Sequence, residues 1–249
     1  MKTSWDYTEL AKAYLKRPNY SEEAINSLLS ITGIKSGDKC CDVGAGVAHL
    51  TLKLAQKNID VDAVEPNDEM RKYGKMRTKD LLNIKWFEGT GEKTGRPDHT
   101  YDIVTFGSSF NVTNRKLTML ETARIAKKGG WFAVMWNHRD LEDPIQLAIE
   151  NIIKVSIPEY GYGTRREDQT DIINNSNLFH EVNKIEGQVM HTQTVEDIVE
   201  AWRSHGTLHR QAGNKFDGLI HSIERILINV DKEYIEVPYT TKMWFAQLK

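Results

Sequence analysis

The sequence predicts an α/β fold built around a doubly wound, mostly parallel sheet, and three observations lead to that expectation. Short apolar runs alternate with amphipathic segments of helical period from about residue 39 to residue 136. Such alternation is typical of βαβ units, whose right-handed crossovers place helices on both faces of the sheet. The 249 residues, 39% hydrophobic and 27% charged, suit one globular domain.

The N-terminal segment is predicted to be helical from Trp5 to Ser30. Apolar residues recur there at helical spacing, Pro18 interrupts the pattern, and Ser21 is placed to cap a second helix. Five strands are then predicted at Cys40–Val43, Val61–Val64, Ile84–Phe87, Ile103–Phe106 and Trp131–Trp136. Helices are predicted between them at Ala48–Lys57, Asp68–Lys79 and Lys116–Ala126. Gly129 and Gly130 are expected to end the last of these helices.

The pattern changes after Trp136, where we expect a helical cap inserted before the sheet is finished. A polar stretch at Tyr160–Arg166 follows its first helix. The cap helices are predicted at Ile145–Val155, Val195–Ser204 and Phe216–Asn229. Tyr234–Leu248 alternates and contains Pro238, which favours an edge hairpin strand. The predicted organisation is a single domain over 1–249, with a flap at 1–30, a core at 36–137, a cap at 138–232 and a final strand at 233–249.

Charge and composition exclude several classes of protein at this stage. With 33 basic and 35 acidic residues, the net charge of −2 lacks the broad basic field of nucleic-acid-binding proteins. No long apolar run predicts a membrane span, and no apolar segment after the first lysine predicts a secretory signal. Cys40 and Cys41 are adjacent, which suits free thiols in a strand better than a disulfide or a zinc site. We therefore expect a cytoplasmic protein without a metal, whose partner is a small molecule or another protein.

The strongest local signal is a glycine-containing turn between a predicted strand and a predicted helix. In Asp42–Ala48, Gly44 and Gly46 allow a sharp turn and leave no side chain between the backbone and a ligand. Glu65 ends the next strand 65 − 46 = 19 residues after Gly46, where a carboxylate accepts hydrogen bonds from ribose hydroxyls. The pair predicts a nucleotide-type cofactor, and both NAD and S-adenosylmethionine use this arrangement.

The wider pattern resembles the class I S-adenosylmethionine-dependent methyltransferases over most of the chain. Asp42–Ala48 is similar to the family's first motif, with Ala48 in place of the third glycine, and Val64–Asn67 is similar to its ribose strand. The resemblance is closest to the small-molecule branch that includes trans-aconitate methyltransferases. It extends to Tyr14 with Arg17–Ser21 near the N-terminus and to Val237–Thr241 near the C-terminus.

This resemblance implies a seven-stranded sheet, an S-adenosylmethionine cofactor and methyl transfer to an oxygen or nitrogen of a small metabolite. An intermediate of natural-product biosynthesis is one such acceptor. It also implies a set of cofactor-binding residues that the family places around its ligand. They are Tyr14, Arg17, Gly44, Ala45, Gly46, Glu65, Pro66, Met70, Thr90, Gly91, Glu92, Phe106 and Ser108. Arg17 is expected to pair with the methionine carboxylate. Either a monomer or a homodimer is expected, with no membrane partner.

The residues that act on the acceptor are the least predictable part of the sequence. Asn111 and Val112 stand where relatives often carry a His-Trp pair, so Asn111 is expected on the substrate side of the pocket. His138 directly follows a predicted strand, and His205 lies in the cap four residues before His209. Gly206 lies between His205 and His209, and no carboxylate follows at the spacing of a metal ligand. Both observations argue against metal ligation. His138, His205 and Asn111 are therefore the catalytic candidates.

Three other functions are kept as alternatives. A tRNA or rRNA methyltransferase is disfavoured by the near-neutral charge and by the lack of an attached RNA module. A catalytically silent scaffold is disfavoured by the intact glycine turn and Glu65. An NAD-dependent oxidoreductase would bind NAD and not S-adenosylmethionine, so a binding measurement separates it from the preferred interpretation.

Overall fold

A computed structural model describes residues 6–249, and its centre is one seven-stranded sheet in the order β3-β2-β1-β4-β5-β7-β6. The strands are β1 Lys39–Val43, β2 Asp60–Val64, β3 Ile84–Phe87, β4 Tyr101–Gly107, β5 Ala126–Arg139, β6 Asn183–Thr194 and β7 Tyr234–Gln247. Strands β1 to β5 are parallel, and β7 runs antiparallel to both β5 and β6. The predicted doubly wound α/β fold, with seven mostly parallel strands, is confirmed.

Ten α-helices occur within residues 6–249. They are α1 Ala11–Tyr14, α2 Glu22–Thr32, α3 His49–Ala55, α4 Asp68–Arg77, α5 Arg115–Ile125, α6 Pro144–Ser156, α7 Thr170–Asn174, α8 Val195–Arg203, α9 Gly206–Ala212 and α10 Phe216–Ile228. Ser21 caps α2 as expected, because its side chain accepts a hydrogen bond from the Ala24 amide. Trp5, the predicted start of the first helix, lies outside the described residues.

Apolar side chains fill three regions, one on each face of the sheet and one inside the cap. Cys40 and Cys41 point to opposite faces, as neighbouring strand residues do, and both thiols are buried. One face packs against α2 and α3, and the other around Phe106, Phe110 and Phe132. The cap interior joins α6, α8 and α10 to the first residues of β7. No helix within residues 6–249 is long and apolar enough to cross a membrane.

The expected helix end at Gly129 and Gly130 is wrong. Helix α5 ends at Ile125, and the chain passes directly into β5, which includes both glycines. Gly129 has a φ of +71°, and the pairing of β4 with β5 shifts register between Tyr101 and Ile103. A Cβ at Gly130 would lie 2.9 Å from the Lys127 carbonyl oxygen. The glycines therefore form an irregularity within the sheet and do not terminate the helix.

The expectation that Tyr234–Leu248 forms an edge strand is also wrong, because β6 pairs along its outer side. Strand β6 lies inside the predicted cap and has few apolar residues, since half of its residues are exposed and only two are buried. Pro238 is tolerated in the interior strand β7 for a local reason. The Pro238 carbonyl accepts from the Asp140 amide, just beyond the last β5 residue, so its missing N–H faces the end of β5.

Candidate functional site

A cavity of about 410 Å³ opens at the carboxyl ends of β1, β2, β4 and β5, under the N-terminal segment and the cap. Open α/β sheets bind ligands at this edge, where the strand order reverses. In this sheet the reversal falls between β1 and β4. The volume is that of a small-molecule site.

The floor of the cavity is the turn between β1 and α3. Gly44 has a φ of +70°, and a Cβ there would lie 2.3 Å from the Cβ of Ser109. Gly46 has a φ of +55° with nothing within 4 Å of its missing Cβ. Ala48 lies where the family's third glycine falls and also has a positive φ, 74°. A non-glycine residue in this conformation costs about 1–2 kcal/mol, so the sequence departure at Ala48 carries local strain.

Asp42 fixes the base of this turn. Its carboxylate is buried and accepts hydrogen bonds from Thr51 Oγ1 at 2.6 Å and Thr105 Oγ1 at 3.0 Å. The two bonds tie the end of β1 to α3 and to β4. Burial raises the pKa of Asp42 to about 6, although the hydroxyl donors act in the opposite direction.

Glu65 stands at the end of β2 beside the same turn. Its side chain is 6% exposed, and its two oxygens accept from the Gly46 amide at 2.9 Å and the Asn67 amide at 2.8 Å. Burial raises the pKa of Glu65 to about 7, against the effect of these amide donors. The sequence spacing of 19 residues thus becomes a direct contact on the cavity wall.

The remaining cofactor candidates surround this centre, with one exception. Met70 packs with Ala11 and Val47, next to Tyr14, and forms an apolar wall. The other lining candidates are Arg17, Ala45, Pro66, Thr90, Gly91, Glu92 and Ser108. Phe106 does not line the cavity, because it is buried in the sheet core against Phe110 and Phe132.

The N-terminal segment, residues 6–17, covers the opening of the cavity. The Tyr14 carbonyl accepts from His49 Nε2 at 2.9 Å, which holds α1 against α3. Arg17 donates from Nε to Ser204 Oγ at 2.8 Å and from Nη2 to the Ser204 carbonyl at 2.9 Å. Arg17 therefore reaches the cavity, as the resemblance implies, while part of its guanidinium is bound to the end of α8.

Of the three catalytic candidates, only Asn111 lines the cavity, and its Oδ1 accepts from Trp136 Nε1 at 2.9 Å. His138 is buried behind the wall, where its Nε2 donates to the Arg165 carbonyl at 3.0 Å. His205 is also buried, and its Nδ1 caps α9 by accepting from the Leu208 amide. Burial lowers the pKa of His138 to about 4 and that of His205 well below its usual value. Both histidines are therefore uncharged at neutral pH, and both contact Arg165, which lines the cavity.

The sequence analysis missed several cavity residues, among them Arg139 at the end of β5 and Arg165 in the loop before α7. Arg139 lies 3.8 Å above the ring of Trp202. Arg165 was seen in the sequence only as part of a polar stretch. Its neighbours here come from the N-terminal segment, β5 and the cap, so no local pattern joined them. Among residues 6–249 no cluster of three His, Cys, Asp or Glu side chains offers a metal site.

Comparison with known proteins supports the resemblance at the level of family and fold. Residues 41–134 match the methyltransferase-domain family model. An uncharacterised methyltransferase of Mycobacterium tuberculosis is 30% identical over 124 residues, 50% of this chain and 48% of that protein. A ubiquinone/menaquinone biosynthesis C-methyltransferase of Psychromonas ingrahamii is 27% identical over 121 residues, 46% of this chain and 48% of that protein. The chain spans about half the length of the curated relatives it matches.

Two solved structures show the same fold. The YcgJ protein of Bacillus subtilis has a TM-score of 0.58 at 14% identity, covering 91% of this chain and 98% of its own. Haemonchus contortus phosphoethanolamine N-methyltransferase 2, solved with S-adenosylhomocysteine, has a TM-score of 0.57 at 14% identity. The match covers 99% of this chain and 58% of that chain. The trans-aconitate relation stays a prediction. Residues 41–134 are similar to the methyltransferase domain, and the chain has the class I methyltransferase fold.

Proposed function

We propose that this protein binds S-adenosylmethionine and methylates an oxygen or nitrogen of a small-molecule acceptor. The observation that carries the proposal is the buried Glu65 carboxylate, held against the Gly46 amide on the wall of the cavity. A carboxylate at the end of β2 suits a ribose, and the glycine turn allows a ligand to lie close to the protein backbone beside that carboxylate. These donors and acceptors fit the cofactor that the fold implies.

The residues divide the binding of that cofactor among them. Glu65 would accept hydrogen bonds from the ribose hydroxyls, and the backbone of Gly44 and Gly46 would lie beside the amino-acid part of the cofactor. Met70 would form an apolar wall for the adenine. When bound, S-adenosylmethionine supplies a methyl group on a positively charged sulfur. The protein's own contribution is to align the acceptor and to exclude water, which the N-terminal segment and the cap do together.

The cap side of the cavity favours particular acceptors. Its described lining residues include Asn111, Asn137, Arg139, Arg165 and Tyr239, with no carboxylate and no histidine among them. A hydroxyl acceptor needs a base to remove its proton, whereas a neutral amine or an ionised oxygen does not. The surroundings therefore suit an acceptor that attacks without giving a proton to the protein.

Calorimetric titration with S-adenosylhomocysteine tests the cofactor assignment, with NAD as the control ligand. We expect binding of S-adenosylhomocysteine alone, and weaker binding by Glu65→Ala. NAD binding without S-adenosylhomocysteine binding would favour an oxidoreductase, and binding of neither would favour a silent scaffold. An acceptor screen follows with labelled S-adenosylmethionine. It includes carbon nucleophiles, because one relative is named as a C-methyltransferase.

A further inference from the structure

Three guanidinium groups, those of Arg17, Arg139 and Arg165, line the cavity on its cap side. Among residues 6–249, no carboxylate oxygen lies within 4 Å of a nitrogen of any of the three. Several arginines elsewhere do have such a partner: Arg124, for example, pairs with Glu121 at 2.7 Å. A group of arginines without a counter-charge is costly in a partly desolvated site, so a missing anion is the natural complement.

Arg165 has the least compensated position. Its Nη1 lies 3.3 Å from His205 Nε2, while His205 Nδ1 already accepts from the Leu208 amide. A neutral imidazole offers one acceptor, so it cannot satisfy both donors at once. Arg165 Nε is buried with no hydrogen-bond partner. Burial, followed by the charges of Arg17, Arg139 and Arg166, lowers the pKa of Arg165 to about 10.

The buried acidic group of the cap, Glu150, is already committed. Glu150 is buried, accepts a hydrogen bond from the Tyr162 hydroxyl and pairs with Lys154 at 3.2 Å. Two further donors near the arginines lack partners, the buried Tyr160 hydroxyl and Trp202 Nε1. The charges of Arg165 and Arg139 both act on the Tyr160 hydroxyl, and Arg139 stacks on the Trp202 ring. These groups form one donor-rich region with a positive charge.

This region is separate from the carboxylate that we assign to the cofactor. Arg139 ends β5, which is two strands from β1 and three from β2, the strand that ends at Glu65. Adjacent strands lie about 4.8 Å apart, so the ends of β5 and β2 are roughly 14 Å apart across the sheet. Arg139 thus lies at the part of the cavity left for the acceptor.

We propose that the methyl acceptor is an organic anion whose carboxylate or phosphate group binds between Arg139 and Arg165. The inference rests on the proposed function and narrows it to a substrate class. A guanidinium presents paired N–H donors that match the oxygens of either group, and the unpartnered Nε of Arg165 provides one of them.

Paired probes test the proposal, and in each pair one member carries the anionic groups and the other is its neutral counterpart. Citrate is compared with its triamide, and glycerol 3-phosphate with glycerol, by thermal shift on protein saturated with S-adenosylhomocysteine. The same pairs, followed by a wider set of acids and their amides, are tested as acceptors. Arg139→Gln and Arg165→Gln remove one guanidinium each, Arg165→Lys keeps the charge, and Arg225→Gln on the exposed face of α10 is the matched control.

We expect the anionic member of at least one pair to bind selectively, with affinity about tenfold or more weaker in each glutamine variant. Arg165→Lys should regain part of the loss, and Arg225→Gln should match the parent. Selective binding of citrate would indicate a carboxylate acceptor, and selective binding of glycerol 3-phosphate would indicate a phosphate acceptor. Equal response to charged and neutral members, or no anion binding at about 10 mM, would overturn the proposal.

Measuring S-adenosylhomocysteine affinity in the same variants separates the two levels of inference. If Arg139→Gln and Arg165→Gln bind it as the parent does, the arginines serve the acceptor. If both lose affinity for it, the arginines hold the cofactor's carboxylate and the substrate assignment is wrong. If the parent itself does not bind it, the proposed function fails first.

Discussion

The two halves of the cavity are built in different ways. The half at β1 and β2 consists of a backbone turn, one buried carboxylate and an apolar wall, and its polar atoms are bonded to each other. The half under the cap consists of arginines and aromatic rings brought from distant segments, and several of its donors have no partner. The polar atoms of the first half are satisfied within the protein, whereas the second half has buried donors without a protein partner.

The largest expected effect tests how rigid the first half is. Gly44→Ala should lower the free energy of unfolding by about 2–4 kcal/mol, because the methyl group would overlap Ser109 and the backbone has a positive φ. Gly46→Ala is the control, since it shares the positive φ but has open space, and should lose about 1–2 kcal/mol. Chemical denaturation measures both. Equal losses would show that overlap with Ser109 does not matter.

The next effect concerns the carboxylate on which the cofactor assignment depends. Glu65→Ala should weaken S-adenosylhomocysteine binding by roughly 1.5–3 kcal/mol, the range for a lost charged hydrogen bond. Glu65→Gln keeps the side-chain size, and Glu69→Ala in α4, outside the cavity lining, is the matched control. Unchanged affinity in Glu65→Ala would remove the ribose assignment.

The same residue gives the first half a pH dependence. Burial raises the pKa of Glu65 from 4.5 to about 7, so the folded protein holds this proton more tightly than the unfolded chain. Its contribution to stability is therefore full below pH 4.5 and is lost as the pH rises to 7.

Cofactor affinity should change in the opposite direction. If the ionised carboxylate accepts from ribose, S-adenosylhomocysteine affinity rises about tenfold between pH 6 and pH 8. Calorimetry of the parent and Glu65→Gln measures this change, and the variant should flatten it. A rise of the same size in both proteins would assign the titration to another group, of which buried Asp42 is the nearest.

A smaller effect concerns the second half. His138→Ala removes the hydrogen bond to the Arg165 carbonyl, so it should raise the acceptor KM by about two- to tenfold while sparing cofactor affinity. We assign His138 a positioning role, because it does not line the cavity. Steady-state kinetics separate KM from kcat, and His138→Asn offers partial rescue. A fall in kcat alone, at unchanged KM, would instead indicate a catalytic histidine.

The smallest effect tests whether the arginine cluster costs stability without a ligand. Arg165→Met keeps an apolar stem and removes a charge that lacks a carboxylate, so it should raise the free energy of unfolding by about 1 kcal/mol. Arg124→Met, which breaks an ion pair with Glu121, should lower it slightly. Denaturation of the ligand-free proteins measures both. A loss of stability in Arg165→Met would show that His205 already satisfies the guanidinium.

The same contrast explains what could be predicted from the sequence. The turn at Gly44 and Gly46 is local, and Glu65 follows at a fixed distance along a βα unit, so spacing alone indicated their proximity. Arg139 and Arg165 meet only through the fold. Strand β6 was missed because its exposed faces leave few apolar residues, and Gly187 in it lies against Ser21 and Ala24 of the distant α2 region. Such contacts have no signature in a single sequence.

The N-terminal segment has a consequence for how the two halves act together. Its residues bond to α3 through Tyr14 and to α8 through Arg17 and Lys16, so one short segment contacts both halves. A ligand that orders this segment from one side removes an entropic cost that a ligand on the other side would otherwise bear. Linkage requires the effect to be reciprocal: cofactor and acceptor must raise each other's affinity by the same factor.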